Sequence, residues 1–425
     1  MKNLFKKNVG LIIALILIFA FPTSLSNQAR LNMRVIVTGL AIDKSDEGFE
    51  VTAQIVKTSP GAESGGTSAE VNFLSDTDTT LLGAISKLSY KAGKVASFSH
   101  TNFIVIGEEL AKSSNLVNCL NYFVRDRIIK NTALILFSEG KASDEIQKTK
   151  DVELSVGLGL QKVYLFKERE SDGVMHTVLE FLNESSMYSK TTTASTLKLI
   201  SESEKSSQKE GSSSGTETGS SGSSSGSSGG SSDGSESQSS SGSSGESYQY
   251  FEDLSPLVCF VGGEYKGKLE GEEALGFMFA DKHAVSDDFS LENVEIEKLG
   301  KVTVGVKMKA KTNKYKIRYE NEIPCFDLTV TIEKSEIEEI QAQDPTAQLS
   351  ESEYTEIKKA LKEDINKKVA KAFEKAKGFG ADVFGAYELA YKTKFKETIK
   401  YYETPEEFLK NLKLNVEVNV EALEY

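Results

Sequence analysis

The chain has 425 residues, and 50 basic against 63 acidic side chains give it a formal net charge of −13. That length leaves room for two or three domains with real cores, while the acidic balance disfavours non-specific nucleic-acid binding, since such a surface repels phosphate. Three cysteines, three histidines, no tryptophan and 39% hydrophobic residues disfavour a zinc protein, a disulfide-stapled module and a polytopic membrane protein.

Lys2, Lys6 and Lys7 precede an apolar run at 9–21, then Pro22 and the small polar stretch Thr23-Ser24-Leu25-Ser26. This is the order of a secretory signal. As a helix the run spans about 20 Å, short of the roughly 30 Å hydrocarbon core, which favours a cleaved signal over a spanning helix. Cleavage after Ser26 fits a Ser-x-Ser site, and a retained segment would be an N-terminal anchor. Either way the remainder is expected outside the cytoplasm. The first cysteine is Cys119, so no lipidation site exists near the signal.

Residues 33–57 read as a β-hairpin: Val35 and Val37 lead to Ala41 and Ile42, 43–48 is turn-rich, and Phe49, Val51, Ala53 and Ile55 alternate with polar residues. A loop is expected at 58–70. A helix follows from Asp78 or Thr79, with Leu81, Leu82, Ile85 and Leu88 on one face. Residues 102–106 form an apolar strand, Gly107-Glu108-Glu109 an acidic helix start, and Asn115 caps a helix with Leu116, Leu120 and Phe123 inward. A strand at 133–137 and a helix at 142–148 complete a strand–helix alternation. Ser171 is read as capping a helix with Val174, Val178 and Leu182, before a strand at 191–199.

Residues 211–248 hold 30 Ser or Gly among 38, too little apolar area to offset chain entropy. As a coil the polar stretch 201–248 would span about 40 Å. Beyond it, strands at 256–261 and 265–269 flank Gly262-Gly263, a tight-turn pair. Val302, Val304, Val306 and Met308 alternate, as do Phe326, Leu328, Val330 and Ile332. The strongest element is a helix over 351–377, with a Ser350/Glu353 capping box and Tyr354, Ile357, Leu361, Ile365, Val369, Phe373 and Ala376 on one face. Glu363/Lys367 and Asp364/Lys368 pair on the other. A helix from Asp382 and a one-sided strand at 414–420 close the chain.

The expected fold is a multi-domain α+β or mixed α/β chain, its sheets covered by helices on one face, with a disordered Ser/Gly-rich linker. Its divisions are 1–26 signal or anchor, 31–200 N-terminal α/β domain, 201–250 linker, 251–300 middle β-rich domain and 301–425 C-terminal α+β domain. The last is read as an antiparallel sheet under helices.

No catalytic constellation emerges. His100 has no identifiable orienting partner, and His176 and His283 read as surface histidines. Cys119, Cys259 and Cys325 lack metal spacing and sit among apolar neighbours, as buried thiols do. Gly157-Leu158-Gly159 lacks the rest of a dinucleotide fingerprint. No catalytic, cofactor-binding or metal-ligating residue is nominated, and no cofactor.

The run Phe98-Ser99-His100-Thr101-Asn102-Phe103-Ile104-Val105-Ile106-Gly107-Glu108-Glu109-Leu110-Ala111-Lys112 resembles the spore-germination family Ger(x)C, the C subunits of GerA-type germinant receptors. Further blocks agree in order: Leu40 with Asp43, Tyr122-Phe123-Val124-Arg125-Asp126, the hairpin from Cys259 to Leu269, and Ala381-Asp382-Val383-Phe384-Gly385. The chain departs from the family pattern in three ways. Ser26-Asn27-Gln28 stands where a lipobox Cys is usual, the Ser/Gly tract is long, and Phe395, Tyr401 and Phe408 stand near where C-terminal tryptophans are usual. The resemblance implies a non-enzymatic, membrane-associated receptor subunit, on the extracytoplasmic side of the spore inner membrane. Its partners would be integral-membrane subunits resembling the A and B subunits. Two other readings stay open: an extracytoplasmic binding protein for a small ligand or cell-wall component, which needs a concave polar pocket, and a secreted hydrolase, which needs carboxylates about 5–9 Å apart in a cleft.

Overall fold

The computed structural model describes residues 33–59, 68–125, 128–148, 173–201, 248–253, 256–282, 287–341 and 349–424. The expected signal segment, Gly157 to Gly159, His283 and nearly all of the Ser/Gly tract lie outside them.

The apolar run at 103–106 decides the first layer. In β5 (Phe103–Ile106) all four side chains are buried, Ile104 and Ile106 in one core, Phe103 and Val105 in another. A strand of period two can do this only between two covered faces. It lies inside a seven-stranded sheet of order β3-β2-β1-β5-β6-β7, with β4 beside β1. Here β1 is Arg34–Ser45, β2 Gly48–Ser59, β3 Ser68–Asp78, β4 Val95–Ser97, β6 Leu134–Phe137 and β7 His176–Thr177. β1, β5 and β6 are mutually parallel. One face carries α1 (Leu81–Ala92), α2 (Glu108–Ala111), α3 (Leu116–Arg125) and α5 (Val178–Glu184); the other carries α4 (Ala142–Lys148). β1 has a register shift between Val37 and Gly39. A Cβ at Gly39 would come within 2.1 Å of the Phe103 ring, so the close crossing requires glycine.

Several expectations shift here. Asp43 and Lys44 lie within β1, not in the turn, and β3 occupies 68–78, partly where a loop was expected. Leu82 is exposed on α1, whose buried residues are Leu81, Ala84, Ile85 and Leu88. Ser171 lies outside the described residues; Val174 is not helical, and α5 starts at Val178, where Thr177 and Glu180 form the capping box. The single strand expected at 191–199 is two, β8 (Thr191–Ser195) and β9 (Lys198–Ser201).

β11 (Leu257–Val261) links the two halves by the same period-two logic. It stands between β8 and β12 (Glu264–Leu269), across a turn whose Gly262 and Gly263 take φ of 61° and 80°. Val258 and Phe260 enter the first core, where the Phe260 ring lies 4.9 Å from Phe137 and 5.2 Å from Phe181. Leu257 and Cys259 point the other way, into a cluster with Phe277 and Met278 of α6 (Glu272–Ala280), Ala372 and Ala381. β9 pairs with β10 (Tyr248–Asp253), and Tyr248 lies opposite Ser201, so the Ser/Gly tract leaves and re-enters the fold at one place. The buried residues of 251–300 are shared among three clusters.

The last layer is a four-stranded sheet, β13 (Asp287–Ile296), β14 (Gly300–Glu320), β15 (Ile323–Gln341) and β16 (Lys413–Glu424). β14 and β15 meet at Asn321-Glu322, both at positive φ, and run far beyond the alternating stretches read from sequence. α7 (Glu351–Gly378) lies across the sheet with Ile357, Leu361, Ile365, Val369 and Phe373 in the core. Its Ser350/Glu353 capping box forms as expected. α8 (Ala386–Thr393), α9 (Phe395–Tyr401) and α10 (Pro405–Asn411) follow. β16 pairs with β15 in parallel, which corrects the wholly antiparallel sheet expected. The four helices between the two strands supply the long crossover that parallel pairing needs.

Candidate functional site

Two buried aspartates act as clamps, one in each half. Asp43, near the end of β1, accepts from the backbone N–H groups of Ala142 (2.7 Å) and Ser143 (2.9 Å) at the start of α4. A Cβ on Gly107 would lie 2.0 Å from its Oδ1, so the strand–helix junction after β5 must pass as glycine. Asp382 does the same for α8: Oδ1 accepts from Ala386 N–H (2.8 Å), and Oδ2 from Tyr387 (2.9 Å) and Glu388 (3.3 Å). A carboxylate facing orphan N–H groups at a helix start satisfies both the hydrogen bonds and the dipole. Burial pushes the Asp382 carboxyl up to about 7, against the three N–H donors that lower it, with the Glu388 carboxylate adding to the rise. The expected helix start at Asp382 is thus four residues early: the Asp382 carboxylate reaches forward past Gly385, which takes φ 68°, to the first helical N–H groups.

Around Asp382 the halves meet. Its own N–H donates to Thr191 Oγ1 (3.0 Å), and Ser189 N–H donates to Glu388 Oε2 (3.3 Å). The Tyr188 and Tyr391 rings stack at 4.0 Å. Between these contacts opens a cleft of about 400 Å³, whose lining includes His176, Glu184, Thr192, Tyr315, Asp382 and Glu388. Its carboxylates have protein partners: Glu184 accepts from the Thr192 hydroxyl (2.6 Å) with His176 Nδ1 3.5 Å away, and Glu388 pairs with Lys392 at 2.9 Å. The Thr192 hydroxyl donates to the Glu184 carboxylate and not to the imidazole.

One cation serves the same junction. Lys311, buried in β14, donates from Nζ to the carbonyls of Met278 (2.9 Å), Phe279 (2.8 Å) and Asp281 (2.7 Å) at the end of α6. Asn313 Nδ2 donates to Phe279 O, and the Tyr315 hydroxyl to Ala280 O. These alternate residues share one face of β14 and close the orphan carbonyls of the helix, where a cation also suits the dipole. α6 is further tied to α7 by Glu273–Lys375 at 2.5 Å and by Glu272–Lys371. Gly276 packs so closely on α7 that a Cβ would meet the Lys368 carbonyl at 2.0 Å.

The residues weighed from sequence are not brought together. His100 is exposed, with Nδ1 3.2 Å from Ser99 Oγ. Cys119 and Cys259 are buried in different clusters, and burial pushes both thiols up to about 12; Cys325 is buried as well. His176, read as a surface residue, is half-buried in the cleft. Among the described residues no group of three His, Cys, Asp or Glu could hold a metal ion, and no helix is long and apolar enough to cross a membrane. Sequence reasoning missed Lys311, Glu388 and the clamp role of Asp43, whose partners lie roughly a hundred residues away. Asp382, four residues before its helix, carried a local capping signal.

The chain is similar over most of its length to proteins of spore germination. A model described as the spore germination protein N-terminal domain matches residues 27–202, and one described as spore germination B3/GerAC like, C-terminal, matches 257–424. Spore germination protein B3 of Bacillus subtilis (strain 168) is 32% identical over 112 residues, 26% of this chain and 29% of that protein, so the match spans under a third of that relative. The crystal structure of the GerBC protein superposes with a TM-score of 0.51 at 13% identity, over 90% of this chain and 96% of that one. At that identity the likeness is one of fold.

Proposed function

The chain belongs to the GerAC-like family of spore germination proteins, and on that premise we propose that it is a non-enzymatic, membrane-associated subunit of a nutrient germinant receptor. It works with integral-membrane partners that resemble the A and B subunits, on the extracytoplasmic side of the spore inner membrane. The observation that carries the reading is the order of the two family matches on either side of the Ser/Gly tract. The use of the buried polar groups supports it. Asp43, Asp382 and Lys311 hold helix ends, Glu388 holds the junction, and Glu184 holds Thr192 within the first half. Such a scaffold presents fixed surfaces to partners instead of turning over a substrate. The signal-like segment at 1–26 accounts for export.

Copurification tests the partnership. A tagged copy expressed in sporulating cells, solubilised from spore membranes in mild detergent, should bring down two integral-membrane proteins that resemble the A and B subunits. Recovery of the tagged chain alone from membranes in which both are present would contradict the proposal. A second reading, binding of a small ligand, is favoured by the cleft at the junction. It predicts a saturable rise in melting temperature with one compound from a nutrient and cell-wall-fragment set.

A further inference from the structure

Of the large apolar side chains exposed among the described residues, Leu82 stands apart in the first turn of α1, and the others fall into two groups. Met187, Tyr188 and Phe395 gather at the junction, where Tyr188 stacks on Tyr391 and Phe395 packs edge-on against the same ring at 4.9 Å, and Ile399 follows Phe395 by one turn of α9. Those contacts account for much of that group. The other group has no such explanation. Met33 is 57% exposed, Val95 57% and Tyr90 85%.

These three lie at one end of the first sheet. Val95 opens β4 directly beside Arg34 of β1, the residue after Met33. Tyr90 is in the last turn of α1, and the chain passes through Gly93, at φ 60° with open space around it, to reach Val95. Cations surround the apolar tip. Arg34, Lys91 and Lys94 are all exposed. Lys91 is held by the Ser75 carbonyl and faces Asp76 at 3.8 Å, whereas no ion-pair partner is seen for Arg34 or Lys94 among the described residues. A cationic, apolar tip on a chain of net charge −13 is a local reversal of sign.

The tip is also where the chain arrives from its apolar segment. Phe21, the last residue of that run, is twelve residues before Met33. Twelve residues reach about 43 Å at full extension, and about 20 Å as a coil. In a chain that retains the run as an anchor, the alternative to cleavage after Ser26, a bilayer holding it lies within that reach of this end of the sheet.

We propose that the surface formed by Met33, Arg34, Tyr90, Lys94 and Val95 lies on an anionic lipid surface. The aliphatic side chains and the tyrosine ring enter the boundary between headgroups and acyl chains, and the cations sit among the headgroups. Tyrosine suits that boundary because one end is apolar and the other wet. Arginine and lysine suit an anionic leaflet, whose attraction falls off within a Debye length. A tip this small makes a weak contact alone and orients the protein when a second attachment holds it, the two-signal logic of peripheral anchoring. The proposal rests on the membrane reading above and adds which face meets the lipid.

The test uses the full chain bound to vesicles of mixed phosphatidylcholine and phosphatidylglycerol. A single cysteine is introduced as Val95→Cys, or as Ile399→Cys in the second exposed group, and labelled with an environment-sensitive fluorophore. The native thiols are buried and do not compete for label. With the protein floating with the vesicles, lipid-borne quencher should reduce emission at position 95 at least threefold more than at 399. Arg34→Glu with Lys94→Glu should at least halve that difference while leaving the urea midpoint unchanged. Floating protein with equal quenching at the two positions, or with position 95 unquenched, overturns the proposed face while leaving membrane association standing. Protein that does not float with the vesicles overturns both.

Discussion

Replacing Asp382 with asparagine separates the two roles of its carboxyl. The side chain is 4% exposed and caps α8 through three backbone N–H groups. The Asp382→Asn amide would keep one acceptor but turn an NH₂ toward a backbone donor, at a cost of about 1–3 kcal/mol for a buried N–H left without a partner. Ionisation runs the other way. A carboxyl that titrates at about 7 in the fold and at 3.8 in the open chain gives stability that is fully present below pH 3.8. That contribution is lost as the pH rises through 7, by about 4 kcal/mol in all at 1.36 kcal/mol per pH unit. The asparagine variant has no such loss. Urea unfolding of the full chain from pH 4.5 to 8 should therefore show the variant clearly less stable at the acid end, with the gap closing or reversing by pH 8. Parallel pH profiles for the two proteins would refute the reasoning, since they would mean that burial places no proton on this carboxyl.

Lys311→Met removes the donor to three carbonyls at the end of α6 and should cost about 2–4 kcal/mol in the same assay, whereas Lys314→Met, on an exposed part of the same strand, should stay within about 0.5 kcal/mol of the native chain. Excising 203–246 and joining the ends by a short Gly-containing turn should leave the urea midpoint equal or higher. Ser201 and Tyr248 are already paired, and a loop about tenfold shorter lowers the closure cost by about 2 kcal/mol; a clear fall would show that the tract holds the fold together. The native thiols should not react with a disulfide reagent at pH 8 and should all react in urea, because burial pushes Cys119 and Cys259 up to about 12. Fast reaction of either in the native state would contradict its place in the core.

Elements were legible where one physical signal dominated. The run at 103–106 is apolar on both sides because both faces are covered, and α7 shows its stripe because only one face is buried. α6 escaped notice for the opposite reason: Phe277, Met278 and Phe279 point in all directions because α7, β11 and β14 surround it, leaving no period to read. β3 has only Val71 buried among its described side chains, so its alternation is faint. The tail of β14, with Lys311, Asn313 and Tyr315 facing inward, looked polar because its inward residues hold carbonyls instead of filling a core. Parallel pairing of β16 was invisible because its alternation is the same in either direction. The blocks that carried the family resemblance include both clamp aspartates, Asp43 and Asp382, and each fixes the start of a helix.

The most direct measurement is nutrient-triggered germination of spores that lack this chain and any paralogue. The account predicts that such spores fail to respond to the nutrient and regain the response when the gene is restored. A normal nutrient response without the chain would contradict it.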